Sequence, residues 1–262
     1  MERRDVQGHY ERLAADYDEH WTYGPHHTTW MSARIAESLH LSSADRIADI
    51  GCGTGMFARE VARNINPQHA ILCVDPSRAM LHQIGTPPPA GLTPIVASAE
   101  DIATGSTQLP YEQLDAIWLK ESVHHVAEPA TTLQGLTGRL APGGRLLVIM
   151  LPTTIEYPLF QAARARFTEL QPNPERIVDH LRAAGMQPQL RYIDYELRLD
   201  REKYIDMVRA RYMSVLSTFS DSEIETGIAE MRAAHTEPVL TFPDRFAFVL
   251  GVKPNPVTTW AL

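Results

Sequence analysis

The sequence predicts an α/β protein with a doubly wound, seven-stranded, mostly parallel sheet. Three observations predict this class. Short apolar runs alternate with stretches long enough for a helix, a glycine-rich turn follows the first run at Gly51–Gly55, and an acid, Asp75, ends the second run. Such alternation forms parallel strands joined by right-handed crossovers, so a ligand is expected at the carboxyl edge of the sheet.

Each predicted strand is a short run of apolar and β-branched side chains. The first five are Arg46–Ile50, Ala70–Val74, Thr93–Ala97, Leu114–Leu119 and Arg145–Met150. Two more, near Gln189–Leu199 and Phe246–Val252, complete the seven.

Helices are predicted where apolar residues recur at helical spacing, as Phe57, Val61 and Ile65 do. The predicted helices are Val6–Tyr17, Thr29–Leu39, Met56–Asn64, Pro129–Leu140, Leu159–Leu170, Pro174–Ala184, Arg201–Leu216 and Asp221–His235. Proline and glycine in Ala141–Gly144 are expected to separate the fourth of these helices from the fifth strand.

Composition limits the classes of partner. The chain has 262 residues and 44% hydrophobic content, which is typical of a globular protein. Its 24 basic and 32 acidic residues give a net charge of -8, so the basic surface that nucleic-acid binding needs is not expected. The two cysteines, Cys52 and Cys73, are too few for a disulfide framework and suit a reducing compartment.

Targeting and membrane segments are not predicted either. The charged start, Met1–Asp5, leads into no secretory apolar run, and the longest apolar run, Leu146–Leu151, falls far short of the roughly 18 residues that a membrane helix requires. We therefore expect a soluble cytoplasmic protein, whose oligomeric state the sequence does not indicate.

The strongest chemical signal is the turn Asp49-Ile50-Gly51-Cys52-Gly53-Thr54-Gly55. Its G-x-G-x-G spacing differs from the G-x-G-x-x-G of dinucleotide sites. Asp75 can accept hydrogen bonds from ribose hydroxyls. Asp49 would repel a pyrophosphate but attract the ammonium group of a cofactor, so a sulfonium cofactor is favoured over a nicotinamide one.

Four motifs in order carry a family resemblance. They are the Asp49–Gly55 turn, Val74-Asp75-Pro76-Ser77, Ala97-Ser98-Ala99-Glu100-Asp101-Ile102 and Leu140-Ala141-Pro142-Gly143-Gly144. With them the chain resembles the class I S-adenosylmethionine (SAM)-dependent methyltransferases, in the small-molecule branch that includes ubiquinone-type and type 11-like enzymes. The resemblance implies a Rossmann-like fold and SAM as cofactor.

The resemblance also implies cofactor contacts. Gly51 and Gly53 would line the methionyl part, Asp75 the ribose, and Ser98, Ala99 and Glu100 the adenine. The full expected set is Asp49, Gly51, Cys52, Gly53, Gly55, Asp75, Pro76, Ser98, Ala99, Glu100, Lys120 and Tyr17. Many relatives have an acid where Ser98 stands, and Glu100 and Asp101 are also typical helix-start acids.

The segment after the fourth strand supplies candidate catalytic residues. Glu121 and His124 are alternative general bases, and Tyr23 is a third candidate. Lys120 would hold the cofactor or an anionic substrate; alternatively, the charges at the strand end form salt bridges with each other or with Arg145. Because the pairs His26–His27 and His124–His125 have no further ligands at metal-binding spacing, no metal is expected.

The chain is predicted to have three parts: an N-terminal helical lid over residues 1–45, the SAM-binding core over 46–150, and final strands over 151–262 with a helical cap at about 201–235. In the lid, Tyr10, Tyr17 and Trp21 would close the site, with Trp21 and His26 on the substrate. In the cap, Arg209, Arg211 and Tyr212 would bind an anionic substrate group, with Arg209 and Tyr212 on one helix face. The alternatives are packing of the aromatic residues on the sheet and a solvated helix face.

The predicted function is SAM-dependent methylation of a small molecule of secondary or lipid metabolism. One hypothesis is carbon methylation of an anionic, isoprenoid-like substrate with Glu121 as base. The others are O- or N-methylation with His124 as base, an inactive SAM-binding module, and a nicotinamide oxidoreductase.

Overall fold

A computed structural model describes residues 23–255 and contains one seven-stranded sheet within them. The strands are β1 Ile47–Ile50, β2 Ile71–Asp75, β3 Leu92–Val96, β4 Leu114–Lys120, β5 Leu140–Met150, β6 Gln187–Asp200 and β7 Val239–Val252. Their order is β3-β2-β1-β4-β5-β7-β6, with β1 to β5 parallel and β7 antiparallel to both its neighbours. The order reverses between β1 and β4, so the doubly wound fold is confirmed.

The helices of the described chain flank this sheet. They are α1 Pro25–Ser38, α2 Met56–Ile65, α3 Arg78–His82, α4 Ala99–Thr104, α5 Pro129–Gly138, α6 Gln161–Leu170, α7 Pro174–Ala183, α8 Arg201–Arg209 and α9 Asp221–Ala234. Short 3₁₀ turns at Val123–His125 and Ser214–Thr218 lie between some of them. None of the helices in residues 23–255 is both long and apolar enough to cross a bilayer.

Alternating side chains of the central strands enter two separate cores. In β4, Trp118 belongs to the cluster that includes residues of α1, α2, α8 and α9, whereas Leu119 belongs to the cluster with α4, α5 and α7. This period of two is what a strand buried on both faces requires. Lys120 follows Trp118 by two positions and therefore lies on the α1 side of the sheet.

Strands β6 and β7 extend well past the rest of the sheet. Strand β7 pairs with β5 only from Met150↔Ala247 to Arg145↔Val252, but it pairs with β6 along its whole length, from Asp200↔Val239 to Gln187↔Val252. The first half of β7 therefore projects beyond the carboxyl edge of β5. The segment α8–α9 joins β6 to β7 at this projecting end.

Several sequence-based boundaries need correction. Strand β5 begins at Leu140, because Leu140 pairs with Leu114 and a bulge takes up residues 141–144 before Arg145 pairs with Ala116. Strand β7 begins at Val239 because β6 supplies hydrogen bonds there. The predicted helices did not include α3, and α4 begins where Glu100 and Asp101 were the alternative helix-start acids. The predicted helix Val6–Tyr17 lies outside the described residues.

Candidate functional site

The glycine turn after β1 packs closely against the protein at Gly51 and has open space beside Gly53. Gly51, Gly53 and Gly55 all have positive φ, at 75°, 56° and 70°. A Cβ on Gly51 would lie 2.4 Å from Cβ of Ser122, whose hydroxyl donates to the Ile50 carbonyl over 2.9 Å. A Cβ on Gly53 would meet nothing within 4 Å. Gly51 therefore packs the turn onto the segment after β4, and the Gly53 backbone leaves room for a ligand to approach.

Asp75 at the end of β2 fixes this turn. Its Oδ2 accepts a hydrogen bond from the Gly53 N–H over 2.9 Å, and its Oδ1 accepts from the Ser77 N–H over 2.8 Å, across Pro76. Burial raises the pKa of the Asp75 carboxyl, although these two hydrogen bonds oppose the shift. Each carboxylate oxygen can still accept another hydrogen bond, which suits the hydroxyls of a ribose.

Beneath the turn, Asp49 and Cys52 are buried. Burial, and then the charge of Asp75, raise the pKa of Asp49 well above its usual range, while Lys120 acts in the opposite direction. Burial likewise raises the pKa of the Cys52 thiol well above normal, and both Cys52 and Cys73 are free thiols. Asp49 is thus a buried acid that a positively charged ligand group would stabilise.

The start of α4 uses Ser98 as a helix cap. Its hydroxyl accepts from the Asp101 N–H over 3.1 Å, and Asp101 Oδ2 accepts from the Ser98 N–H over 2.9 Å. The helix-start alternative is therefore correct for Asp101. Glu100, which follows Ala99 in the first turn, accepts from the Ala127 N–H over 3.3 Å and so connects α4 to the segment after β4.

Glu121 is the first residue after β4. It has a φ of 51°, and its Oε1 accepts a hydrogen bond from the Leu151 N–H over 2.8 Å, just beyond β5. Burial raises its pKa to about 7; Lys120 opposes this shift and Asp244 adds to it. No residue in 23–255 donates to Glu121 Oε2. Within residues 23–255 the side chain is therefore held at one oxygen only.

Lys120 lies over aromatic rings. Its Nζ is 4.9 Å from the ring centroid of Phe57 and 5.5 Å from that of Phe246, and it forms no ion pair within the described part of the chain. Arg145 instead pairs with Asp45 over 3.1 Å, so the predicted salt bridge from Arg145 to the β4 end is wrong. The ammonium group of Lys120 influences Asp49 on one side and Glu121 on the other.

His124 and His125 lie on the 3₁₀ turn with their ring centroids 4.0 Å apart. Burial, then His125 and Lys120, lower the pKa of His124 well below its usual range, and its Nδ1 is buried with no hydrogen-bond partner in the described part of the chain. His124 is therefore neutral near pH 7. No cluster of three side chains able to hold a metal occurs in residues 23–255.

The sequence patterns missed a polar group beside the projecting half of β7. We call Tyr23, Tyr157, Tyr204, Tyr212 and Asp244 the cap cluster. The Tyr157 hydroxyl donates a short hydrogen bond to Asp244 Oδ1, and the hydroxyls of Tyr204 and Tyr212 are 3.1 Å apart. Burial is the main cause that raises the pKa of all four tyrosines well above normal, so each keeps its proton. The sequence feature that could have indicated this group is Asp244, an acid between Phe242 and Phe246 in a mostly apolar strand.

Of the two adjacent lid histidines, the structure buries the second. His26 is exposed, whereas His27 contacts the rings of Tyr23 and Tyr195, at centroid distances of 5.2 and 5.0 Å. Its Nε2 lies 3.4 Å from Asp244 Oδ2. His27 thus lies against the cap cluster, whereas His26, the histidine predicted to contact the substrate, is at the surface. The predicted site residues Tyr17 and Trp21, and also Tyr10, fall outside the described residues.

Arg209 and Arg211, the two arginines predicted to bind the substrate, already have acidic partners. Arg209 binds Asp206 and Glu225 over 2.6 and 2.8 Å, and Arg211 binds Asp221 over 2.7 Å. Helix α8 ends at Arg209 and Arg211 has a φ of 56°, so the shared helix face predicted for Arg209 and Tyr212 is wrong. Tyr212 is buried in the cap cluster, whereas Arg209 lies at the surface.

The strand order reverses between β1 and β4, and acids surround an open glycine turn at this edge. These features define a class of α/β protein whose ligand sites lie at the carboxyl ends of the strands. Comparison with known proteins makes the class more specific. Residues 48–146 match the model of a methyltransferase domain.

Two curated methyltransferases illustrate which proteins this chain is similar to. The 27-O-demethylrifamycin SV methyltransferase of Amycolatopsis mediterranei is 24% identical over 89% of this chain and 92% of its own length. A ubiquinone/menaquinone biosynthesis C-methyltransferase of Geobacter sulfurreducens is 28% identical over 44% of this chain and 45% of its own.

Solved structures share the fold. A putative methyltransferase from an antibiotic biosynthesis pathway of Anabaena variabilis has a TM-score of 0.63 at 16% identity, covering 83% of this chain and 95% of that one. The [4+2]-cyclase SpnF has a TM-score of 0.58 at 19% identity, covering 87% and 82%. The chain is a class I SAM-dependent methyltransferase, and its cofactor is S-adenosylmethionine. The nicotinamide alternative is therefore set aside.

Proposed function

We propose that this methyltransferase transfers the methyl group to an oxygen atom of a small organic molecule, with Glu121 as the proton acceptor. The observation that carries the proposal is the position of Glu121. It is a half-buried acid at the carboxyl edge of β4 with Oε1 fixed by Leu151 and a pKa of about 7, so at neutral pH it takes up a proton readily. The O-methyltransferase relative that matches along most of both chains supports an oxygen acceptor.

We assign the cofactor to the edge formed by β1, β2 and β3. When bound, SAM supplies an electrophilic methyl group on a sulfonium centre. Gly51, Cys52, Gly53 and Gly55 would shape the methionyl pocket, Asp49 would attract the cofactor ammonium, and Asp75 would bind the ribose. Lys120 lies between Asp49 and Glu121, where it suits the methionyl carboxylate. Around the adenine, the hydroxyl of Ser98 already caps α4, so backbone groups at Ser98 and Ala99, with Glu100, would make the contacts.

We place the substrate between Glu121 and the cap cluster. Residues 1–45 would form the lid, residues 46–150 the cofactor-binding core, and the segment 201–235 the cap within the final part, 151–262. Tyr23 and Tyr212 would line this space with Trp21 and Tyr17 of the lid. Arg209 and Arg211 are left out of the proposed site, because an anion would have to displace the carboxylates that bind them. His26 is left out because it is exposed.

The other acceptors have weaker support. Carbon methylation of an anionic, isoprenoid-like substrate needs cations for the anionic end, and only Lys120 of the three predicted cations lacks an acidic partner in residues 23–255. His124 as base would act poorly, because its lowered pKa makes it a weak proton acceptor. For its setting we propose the cytoplasm and no nucleic-acid partner, on the strength of the -8 charge and the two free cysteines.

The test uses SAM labelled with carbon-13 in its methyl group. The protein is incubated with this cofactor and with fractions of an extract from its source organism, and the labelled product is analysed by mass spectrometry and NMR. We expect a methyl carbon bonded to oxygen, and no labelled product with heat-denatured protein. A methyl group on carbon or nitrogen would refute the oxygen acceptor, and binding of SAM without any labelled product would favour a non-transferring module.

A further inference from the structure

Asp244 lies where β7 projects past the end of β5. Met150 is opposite Ala247, so Asp244 is three residues beyond the last β5–β7 pair, on the side of Glu121 and Leu151. It shares the α1 side of the sheet with Phe242 and Phe246. Asp244 acts electrostatically on Glu121, so the buried carboxylate of Asp244 and the half-buried carboxylate of Glu121 lie in one region of the structure.

The two oxygens of Asp244 have different surroundings. Oδ1 accepts the hydrogen bond of Tyr157. Oδ2 is buried and receives no hydrogen bond from residues 23–255. The His27 Nε2 atom lies 3.4 Å away, which is within ion-pair distance, but the geometry between the two atoms is not that of a hydrogen bond. A buried carboxylate oxygen that receives no hydrogen bond is costly, and a hydrogen-bond donor on a ligand would remove this cost.

The neighbouring groups favour a neutral donor on that ligand. The hydroxyls of Tyr23 and Tyr157 interact, as do those of Tyr204 and Tyr212, which makes the surroundings suitable for a hydroxylated molecule. Lys120, over the ring of Phe246 on the same face, would repel an ammonium group. Because Asp244 is 0% exposed, a ligand reaches it only when Tyr23 or the cap residues move.

We propose that Asp244 determines substrate specificity: its Oδ2 accepts a hydrogen bond from a second hydroxyl of the methyl acceptor, so that the enzyme selects diols over compounds with a single hydroxyl. The proposal rests on the oxygen methylation proposed above, in which the first hydroxyl lies beside Glu121. Tyr157 is the positioning residue that holds the carboxylate for this contact.

The test compares fluorescent probes that differ by one hydroxyl. The full-length protein, saturated with S-adenosylhomocysteine, is titrated with 2,3-dihydroxynaphthalene, 1,3-dihydroxynaphthalene and 2-naphthol. We expect at least one diol to bind about tenfold more tightly than 2-naphthol, as a hydrogen bond to a charged, buried acceptor predicts. In Asp244→Asn this preference falls to about twofold or less, because the amide carbonyl can still accept from Tyr157 while an NH₂ donor replaces Oδ2.

Asp194→Asn is the matched control, because Asp194 lies on β6 and pairs with Arg245 at the surface. It keeps the full preference. No saturable diol binding to the wild-type protein, equal binding of diol and 2-naphthol, or an unchanged preference in Asp244→Asn each overturns the proposal. The first two results need no variant, so the proposal stays testable if Asp244→Asn does not fold.

Failure of the proposed function gives a different result. Glu121→Gln would keep the diol preference, because Asp244 is untouched. If diols bind preferentially but the carbon-13 methyl group never reaches oxygen, the acceptor assignment is wrong and the role of Asp244 in binding stands. If oxygen is methylated on a substrate without a second hydroxyl, the role of Asp244 is wrong.

Discussion

The cofactor edge and the cap cluster differ in how the chain builds them. At the cofactor edge, contacts come from backbone groups of a five-residue turn and from Asp75, which binds Gly53 and Ser77. In the cap cluster, four tyrosines from three separate segments meet Asp244 of β7. The first arrangement depends on local conformation and is common to a family; the second depends on tertiary packing and is free to vary with the substrate. The comparison predicts that substitutions at the cofactor edge will change SAM affinity, whereas substitutions elsewhere will change turnover or stability and leave SAM affinity nearly unchanged.

The largest effect on cofactor binding is expected for Gly53→Val. The new side chain would occupy the space that the proposed cofactor needs, so SAM affinity measured by calorimetry should fall about 100-fold or more, while the cooperative thermal transition persists. Gly185→Val is the control, because Gly185 also has a positive φ and open space around its Cβ position. Similar SAM affinities for both variants would remove Gly53 from the cofactor site.

Glu121→Gln should lower turnover while leaving cofactor binding nearly unchanged, which is the clearest distinction between the two regions. We expect kcat to fall about 100- to 1000-fold, as loss of a general base predicts, with SAM affinity within about threefold of wild type. The pKa of Glu121 is raised from 4.5 to about 7, so the native state disfavours its charge, and the resulting loss of stability accumulates as pH rises from 4.5 to about 7 and is complete above that range. The variant should therefore be at least as stable as wild type at pH 8 by thermal unfolding. Wild-type turnover would return Glu121 to a structural role as the partner of Leu151.

Lys120→Met should change the electrostatics of the edge without removing the base. Lys120 lowers the pKa of Glu121, so its loss should move the acid limb of kcat/KM to higher pH by about half a unit to one unit. Lys203→Met, on the exposed face of α8, should leave the profile unchanged. A shift to lower pH in Lys120→Met would contradict the proposed arrangement.

The smallest effect is expected for Tyr204→Phe in the cap cluster. Loss of the hydroxyl that contacts Tyr212 should lower the free energy of unfolding by about 1 kcal/mol, measured by urea denaturation, with SAM affinity unchanged. Tyr192→Phe, at an exposed tyrosine, should have no measurable effect. A loss of SAM affinity in Tyr204→Phe would show that the two regions are coupled.

The same contrast explains what the sequence could predict. The strands, the glycine turn and Asp75 were predictable because short-range patterns specify them. Asp244 was not, because its importance depends on the register that carries β7 past β5. The pairing of Arg209 with Glu225 was also hidden, since the two residues meet only when α9 packs on α8. Glu121 could be chosen as a candidate, but its contact with Leu151 required the parallel alignment of β4 with β5.

The central claim, that Glu121 accepts the proton, is tested most directly by the pH dependence of kcat/KM at saturating SAM. A base works when deprotonated, so we predict that kcat/KM rises with pH, reaches half its plateau near the Glu121 pKa of about 7, and stays level above it. Glu121→Gln should lose this limb along with most of its activity. A wild-type profile that is flat through this range, or an unchanged limb in Glu121→Gln, would contradict the account.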